Sequence, residues 1–409
     1  MASQAGESPI FHPTDPPGDL IESSSAPGGA DEGSRIVTTA HESVDWQTAM
    51  RRAIRSEGEL RRRLGLSPVS GATRAAAADR FPTFVPLEFL RRIRPGDPDD
   101  PLLKQVLPVA EEDRVAPGDS ADPVGDRQAV APGGLLVKYE GRALLVSTGA
   151  CGVHCRYCFR REFPYRQFAS RQDRWREAIA YLRRRPEIDE VLLSGGDPLT
   201  LRDETLDELL RQLEAVPHLR RIRIHTRMPV VIPQRVTESL VDRLARSRLA
   251  SWCVIHVNHP RELDDFVLRR LAMLVDRGIP VLNQAVLLRG VNDDAETLAE
   301  LCLKLVNHRI QPYYLHQLDR VRGAAHFEVS EAEGLRLVDR LRSRLPGYAV
   351  PQYVRELPGA DSKLPVVSGG VPGHATTAGV GEGSTGSFPP DGGDGMTGGQ
   401  GVGVADVSV

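Results

Sequence analysis

Of 409 residues only five are cysteine, a small and odd number for so long a chain, which excludes a fold held by a disulfide framework. No apolar run approaches the ~18 residues of a membrane-spanning helix. The N-terminus lacks the basic-then-apolar layout of a signal peptide, and it is too acidic and Arg-poor for a mitochondrial transit sequence; the cytoplasm is the expected compartment. Charge of one sign is not in excess, since the formal net charge is -3, so the chain as a whole offers no electrostatic reason to expect nucleic acid. A strand-borne GxGxxG or GxxxxGK[ST] is also missing, which disfavours a dinucleotide-binding or P-loop sheet. The two ends lack what a core needs. Residues 366–409 hold 14 of the 38 glycines and not one Lys or Arg, and residues 1–45 hold five prolines, a single basic residue (Arg35) and no periodic apolar pattern. Both are expected to be disordered tails. Roughly 320 residues remain, enough for one large domain with a sizeable core.

What is present divides by pattern. DWQTAMRRAIRSEGELRRRLGL, from Asp45 to Leu66, has helical spacing and predicts one or two surface helices. From Phe81 to Gly134 the chain is proline-rich, too apolar for a free linker and too broken for long elements, and reads as an ordered, loop-rich wrap. From Arg142 onward, β-rich runs (RALLVSTG, IDEVLLSGG, RRIRIHT, SWCVIHVN, IPVLNQAVLL, IQPYYLHQ) alternate with helical stretches near 172–185, 203–215, 234–247, 261–276 and 293–307. Six strands separated by helices imply a parallel sheet with right-handed crossovers, and the largely apolar runs suit strands buried on both faces. Periodicity alone leaves an open sheet and a complete or partial barrel as alternatives. A last helix near 331–345 precedes YAVPQYVRELPGADSKLP. The expected organisation is a tail (1–45), a helical and loop-rich region (46–134), an α/β sheet region (135–330), a C-terminal segment (331–365) and a Gly-rich tail (366–409).

Directly after the first run, STGACGVHCRYCFRREFPY sets Cys151, Cys155 and Cys158 in a C-x3-C-x2-C arrangement on a loop. Three thiolates so close serve a zinc ion or an iron–sulfur cluster. A structural zinc would want a fourth Cys or His; His154 is the candidate, but inside so short a loop its reach conflicts with its neighbours. A [4Fe-4S] cluster with three protein ligands keeps one iron open for a substrate or cofactor. The spacing at a strand's C-terminal end favours the cluster over a zinc knuckle or three free thiols.

With aromatic Tyr157 just before the last Cys, this motif resembles the signature of the radical S-adenosylmethionine superfamily. Within it the chain resembles lysine 2,3-aminomutases, most of all the branch that acts in elongation factor P modification. The resemblance covers roughly residues 45–366 and rests on ordered, separated segments, among them GDPDDPLLKQVLP, KYEGRALL, CGVHCRYCFRREFPY, LLSGGDPL, RMPVVIPQRV, VNHPREL, PYYLHQLDRVRGAAHF and YAVPQYVRELPGADSKLP. It implies a partial six-stranded (β/α) barrel and an isomerase that moves an amino group from the α to the β carbon of L-lysine. A [4Fe-4S] cluster on Cys151, Cys155 and Cys158 would chelate S-adenosyl-L-methionine. Ser194, Gly195, Gly196 and Asp197 match the motif that receives its methionine amino group, where glycine allows close backbone approach and an Asp can accept from an ammonium. His225, Arg227, His256, Asn258, His259 and Gln284 follow at later strand ends, for the adenosyl group or the substrate, each equally open to a structural role.

The second implied cofactor is pyridoxal 5'-phosphate, bound through Lys363 in LPGADSKLP, with Tyr139 and Arg142 in KYEGR, and Lys138 beside them, at positions that hold it. For L-lysine, Arg160 matches the residue that pairs with the carboxylate, and Asp319 and Glu356 match the two acids that receive the far ammonium. Glu356 stands where free-lysine enzymes carry Asp, and GADS where they carry glycines; both are features of the elongation factor P branch, for which (R)-β-lysine is the implied product. No cysteine follows Cys302, so the inter-subunit zinc of free-lysine enzymes is not expected. Cys253 and Cys302 read as buried small hydrophobes. An electron donor such as flavodoxin or ferredoxin is implied as partner, a homo-oligomer is allowed, and no membrane is expected. Two alternatives stand beside this reading: a free-lysine aminomutase for catabolism or osmolyte synthesis, and a non-catalytic iron–sulfur or RNA-binding protein whose arginines (Arg156, Arg160, Arg161, Arg166, Arg171, Arg174, Arg176) track phosphates.

Overall fold

The computed structural model describes residues 42–68, 76–165 and 172–367; the expected tails fall almost wholly outside them. Two short strands, β1 (Val130–Ala131) and β2 (Leu135–Tyr139), run antiparallel into the sheet. The six predicted runs then become β3 (Arg142–Thr148), β4 (Glu190–Gly195), β5 (Arg221–Thr226), β6 (Ala250–His256), β7 (Val281–Val286) and β8 (Gln311–His316), each parallel to the next. A seventh parallel strand, β9 (Gln352–Arg355), pairs with β8, and β10 (Leu364–Pro365) returns antiparallel along it. These last two carry the sheet beyond the expected six, and at four and two residues they are too short to give a period. Spatial order equals sequence order throughout, and among the described residues no ladder joins β10 to β1, so this α/β sheet is open, as a partial barrel is.

Between the parallel strands lie Gln172–Arg183, Asp203–Glu214, Glu238–Ala245, Asp265–Asp276, Ala295–Asn307 and Glu331–Arg344. Two begin later than the periodicity suggests because side-chain caps fix their starts: Thr237 accepts from the backbone N of Leu240 at 3.1 Å, and Asp264 from that of Val267 at 2.9 Å. Leu206, Leu209, Leu210 and Leu213 are buried along one side of Asp203–Glu214, at the spacing of a helix laid against a sheet. The last helix approaches β9 closely, because Gly334 leaves room for the Tyr353 hydroxyl, which a Cβ would meet at 2.1 Å. N-terminal to the sheet, Trp46–Arg51 and Glu57–Arg63 form the predicted helix pair, capped by Asp45 and Ser56. No described helix is long and apolar enough to cross a membrane.

Strand alternation positions the site. In β5, Ile222 and Ile224 are buried on the far side of the sheet, while Arg221, Arg223 and His225 face a central cavity. Thus the parallel strands are not uniformly apolar: the cavity-facing half of several is polar.

Candidate active site

The strands and the loops at their C-terminal ends surround a cavity of about 840 Å³, a size that suits bound small molecules. Every residue named above for a cofactor or the substrate lines it except His259. That imidazole accepts from the backbone N of Arg261 at 3.1 Å and caps a short turn.

Cys151, Cys155 and Cys158 are free thiols, half-buried on the cavity wall. Among the described residues no three His, Cys, Asp or Glu side chains converge as ligands of a single metal ion do. The place of the three cysteines together on one wall suits three ligands of a [4Fe-4S] cluster, in which each thiolate takes a different iron. Burial, then the neighbouring Cys158, holds Cys151 well above the usual thiol range; burial and the adjacent Cys155 push Cys158 up to about 11. Three thiolates are therefore costly here until a cationic cluster accepts their charge. His154, the candidate fourth zinc ligand, is otherwise engaged: Nδ1 lies 2.7 Å from the Pro82 carbonyl, and its ring stacks on Phe81 at 5.0 Å.

Arg227 lies behind the cysteine loop. Its Nη1 donates to Cys155 Sγ at 2.8 Å, and its Nη2 donates to Gln105 Oε1 at 2.6 Å and Glu262 Oε2 at 2.8 Å. Asn258 Nδ2 donates to the same Gln105 oxygen at 3.1 Å and to the Tyr157 hydroxyl at 2.7 Å. These two predicted cofactor residues are thus tied into a buried network that supports the cluster loop. Of the described arginines weighed as a phosphate track, three turn inward and only Arg176 is exposed: Arg156 is fully buried and chelates Glu112, Arg161 donates to the same carboxylate, and Arg160 is buried in the cavity wall. Arg166, Arg171 and the Arg174 side chain lie outside the described residues.

The SGGDP turn clamps this loop. Gly196 passes so near it that a Cβ would stand 2.2 Å from the Ala150 carbonyl oxygen, and the backbone N of Asp197 donates to that oxygen at 2.7 Å. The Asp197 carboxylate, expected to accept from an ammonium, has another task. One oxygen accepts from Leu199 N and Thr226 Oγ1, and the other from Arg227 N and Met228 N, at 2.7 to 3.1 Å. Its lone pairs are filled by protein donors.

Deeper in the cavity stand neutral imidazoles. Burial first, then nearby cations, hold His225 far below its ordinary range and His256 at about 3. Gln284 Nε2 donates to His256 Nε2 at 3.0 Å. The Nε2 atoms of His225 and His316 are buried without a hydrogen-bond partner; such orphaned polar atoms on a cavity wall await a ligand.

The opposite wall carries an alternating chain of charges. Arg160 Nε donates to Asp126 Oδ2 at 2.7 Å, Lys138 Nζ reaches Asp126 Oδ1 at 3.0 Å and Glu356 Oε1 at 2.6 Å, and Lys363 Nζ pairs with Glu356 Oε2. Arg160 also donates from Nη1 to Ser194 Oγ at 3.1 Å. Tyr139 lies under the Arg142 guanidinium at 4.7 Å. Asp319 has no such partner: burial, then the charge of Glu356, pushes its carboxyl up to about 7. Sequence reasoning missed Asp126, Gln105, Glu262 and His316. Only His316 left a signal, as the cavity-facing neighbour of Tyr314 two residues along β8.

Residues 145–302 match the family model described as the Radical SAM superfamily. Over 323 residues, the chain is 46% identical to an L-lysine 2,3-aminomutase of Escherichia coli (strain K12), covering 79% of this chain and 94% of that one. It is 42% identical to one from Haemophilus influenzae, over 79% and 95% of the two chains. With one from Clostridium subterminale the identity is 37%, over 79% and 78%. Three cysteines together on the cavity wall and relatedness over 78% to 95% of the length of these enzymes lead to one conclusion: the chain belongs to the L-lysine 2,3-aminomutase family of radical SAM isomerases.

Proposed function

We propose that this chain converts L-lysine to β-lysine, using a [4Fe-4S] cluster, S-adenosyl-L-methionine and pyridoxal 5'-phosphate. The observation that carries the reading is the shared cavity: three thiols on one wall, an amine-bearing Lys363 on another, and between them an arginine, an unpaired carboxylate and two imidazole nitrogens without partners. Cys151, Cys155 and Cys158 would hold the cluster, with Arg227 donating to one ligand sulfur. Lys363 would hold pyridoxal phosphate through Nζ, with Tyr139 and Arg142 nearby. When bound, the cluster and S-adenosylmethionine supply the radical that takes hydrogen from the β carbon, and pyridoxal phosphate carries the migrating nitrogen.

The chain's own side chains bind and orient. Arg160, fixed by Asp126 and Ser194, keeps N–H groups available for the substrate carboxylate. Because Arg160 follows Cys158 by two residues, it would bring the α and β carbons near the radical source. Asp319 offers a carboxylate to the far ammonium. The neutral His225 and His256 can hydrogen-bond a cofactor without adding charge.

Glu356 and GADS before Lys363 support supply of (R)-β-lysine for elongation factor P, in the cytoplasm, with electrons from a flavodoxin or ferredoxin. The test is anaerobic: reconstituted protein with reductant, S-adenosylmethionine, pyridoxal phosphate and L-lysine yields β-lysine, read by chromatography. Cys155→Ala abolishes product; Lys363→Ala keeps the cluster spectrum and makes none. Product from Cys155→Ala would overturn the radical reading. A deletion strain whose elongation factor P stays fully modified would overturn the proposed destination.

A further inference from the structure

Behind the cysteine loop lies a buried ion pair that the proposed reaction does not use. Arg227 is 5% exposed and its partner Glu262 is fully buried. The guanidinium joins that acid to a cluster ligand: Nη1 donates to Cys155 Sγ at 2.8 Å, and Nη2 donates to Glu262 Oε2 at 2.8 Å. Its Nε is buried without a partner. We propose that the Arg227–Glu262 pair sets the reduction potential of the cluster through Cys155: the cation and its N–H raise the potential, and the carboxylate holds that rise in check. This rests on the assignment of a cluster to Cys151, Cys155 and Cys158. Both residues act through the Cys155 sulfur and are positioning residues.

The pair is fixed from several sides. The Arg227 backbone N donates to Asp197 Oδ2 at 2.7 Å, and the guanidinium lies against the rings of Phe89 and Tyr157, 5.4 and 5.7 Å from their centroids. Gln105 Oε1 accepts from Nη2 at 2.6 Å. On the acid, Glu262 Oε1 accepts from Gln105 Nε2, Asn258 N and His259 N at 3.0 to 3.1 Å. A carboxyl whose two oxygens receive four donors is ionised, since a protonated one would have to donate in turn. The site therefore holds one cation in contact with the sulfur and one anion behind it. Reduction adds one electron, and with it one negative charge, to the cluster. A hydrogen bond to a ligand sulfur and a positive charge nearby both favour the reduced form, whereas a negative charge nearby opposes it. Away from water, neither charge is much screened by solvent or salt. Removal of the cation must then lower the potential, and removal of the anion alone must raise it. If the pair only supported the loop, either loss would lower cluster content without moving the potential in opposite senses.

A redox titration of the reconstituted protein tests this without turnover. Dithionite is the reductant, the electron paramagnetic resonance of the reduced cluster is the readout, and S-adenosylmethionine, pyridoxal phosphate and L-lysine are left out. Arg227→Met combined with Glu262→Gln strands no buried charge. This double variant keeps its iron and sulfide, and its one-electron equilibrium moves about tenfold or more toward the oxidised form, a fall of about 59 mV. Glu262→Gln alone leaves the cation unopposed, and its midpoint rises. A midpoint that does not fall in the double variant, or does not rise in Glu262→Gln, overturns the proposal. Loss of the cluster from both variants overturns it too, by making the pair structural; where only the double variant loses its cluster, the direction of the shift in Glu262→Gln decides. If wild type itself takes up no [4Fe-4S] cluster, the functional reading fails, and this inference with it.

Discussion

Asp126 has two cationic partners and almost no water: Arg160 Nε at 2.7 Å and Lys138 Nζ at 3.0 Å, around a carboxylate 2% exposed. Such a group is worth little as an exchange for apolar packing, yet removing it strands two buried cations, which costs about 3–5 kcal/mol when a buried pair is broken. Asp126→Asn should lower the urea midpoint accordingly. In turnover it should raise KM for L-lysine more than it lowers kcat, because Arg160 loses the partner that aims it. An unchanged KM would mean that Arg160 is held well enough by Ser194. Nothing in the sequence pointed to this residue. Asp119, Asp122 and Asp126 sit together in an aperiodic stretch, and only the tertiary fold distinguishes the one that turns inward. That Lys363, Arg160 and the cysteines share one cavity was legible because their motifs sit next to strand ends; Asp197 was legible as a motif member, but not its four bonds to neighbouring donors.

At the scale of elements, the turn after β4 and the cysteine loop after β3 form one unit, with no space between Gly196 and Ala150. Gly196→Ala must push these two backbones apart, and backbone cannot yield as a flexible side-chain end can. The expected result is a folded protein whose iron content after reconstitution falls severalfold, read by iron and sulfide analysis beside far-UV circular dichroism. Full iron content would show that the loop can shift without losing its ligands. The six main strands and their helices were legible from apolar runs and helical periods. β9 and β10 were not, since Pro351 and Pro365 bound segments too short for a period to register. The cavity-facing polar residues were partly legible: alternation in RIRIHT separates Ile222 and Ile224 from Arg223 and His225.

For the molecule as a whole, the site sets opposite pH limits. Burial alone would raise Glu356 and Asp126, but Lys363 and Lys138 beside the first, and Arg160 and Lys138 beside the second, pull both below the usual carboxylate range. Their stabilisation is present above the unfolded carboxylate value and is lost as pH falls through the lower folded values. Asp319 behaves in the reverse sense: its folded pKa is raised to about 7 by burial, then by Glu356, so its contribution is full at acid pH and is lost as pH rises from about 4 through 7. Cofactor-free Asp319→Asn should therefore gain melting temperature relative to wild type between pH 5 and 8. An equal difference at both pH values would refute the raised carboxyl.

Because spatial order in the sheet follows chain order, each strand can join the one made just before it as the polypeptide leaves the ribosome. The contact between Lys138 and Glu356 breaks that sequence, spanning 218 positions along the chain across the side where no strand ladder closes the sheet. Until Glu356 and Lys363 are synthesised, Lys138 and Arg160 share Asp126 as their sole acid in this charge chain. On the proposed assignment of Lys363, pyridoxal phosphate loading would belong to the finished polypeptide, and a nascent chain stalled after β8 would carry Cys151, Cys155 and Cys158 but not Lys363.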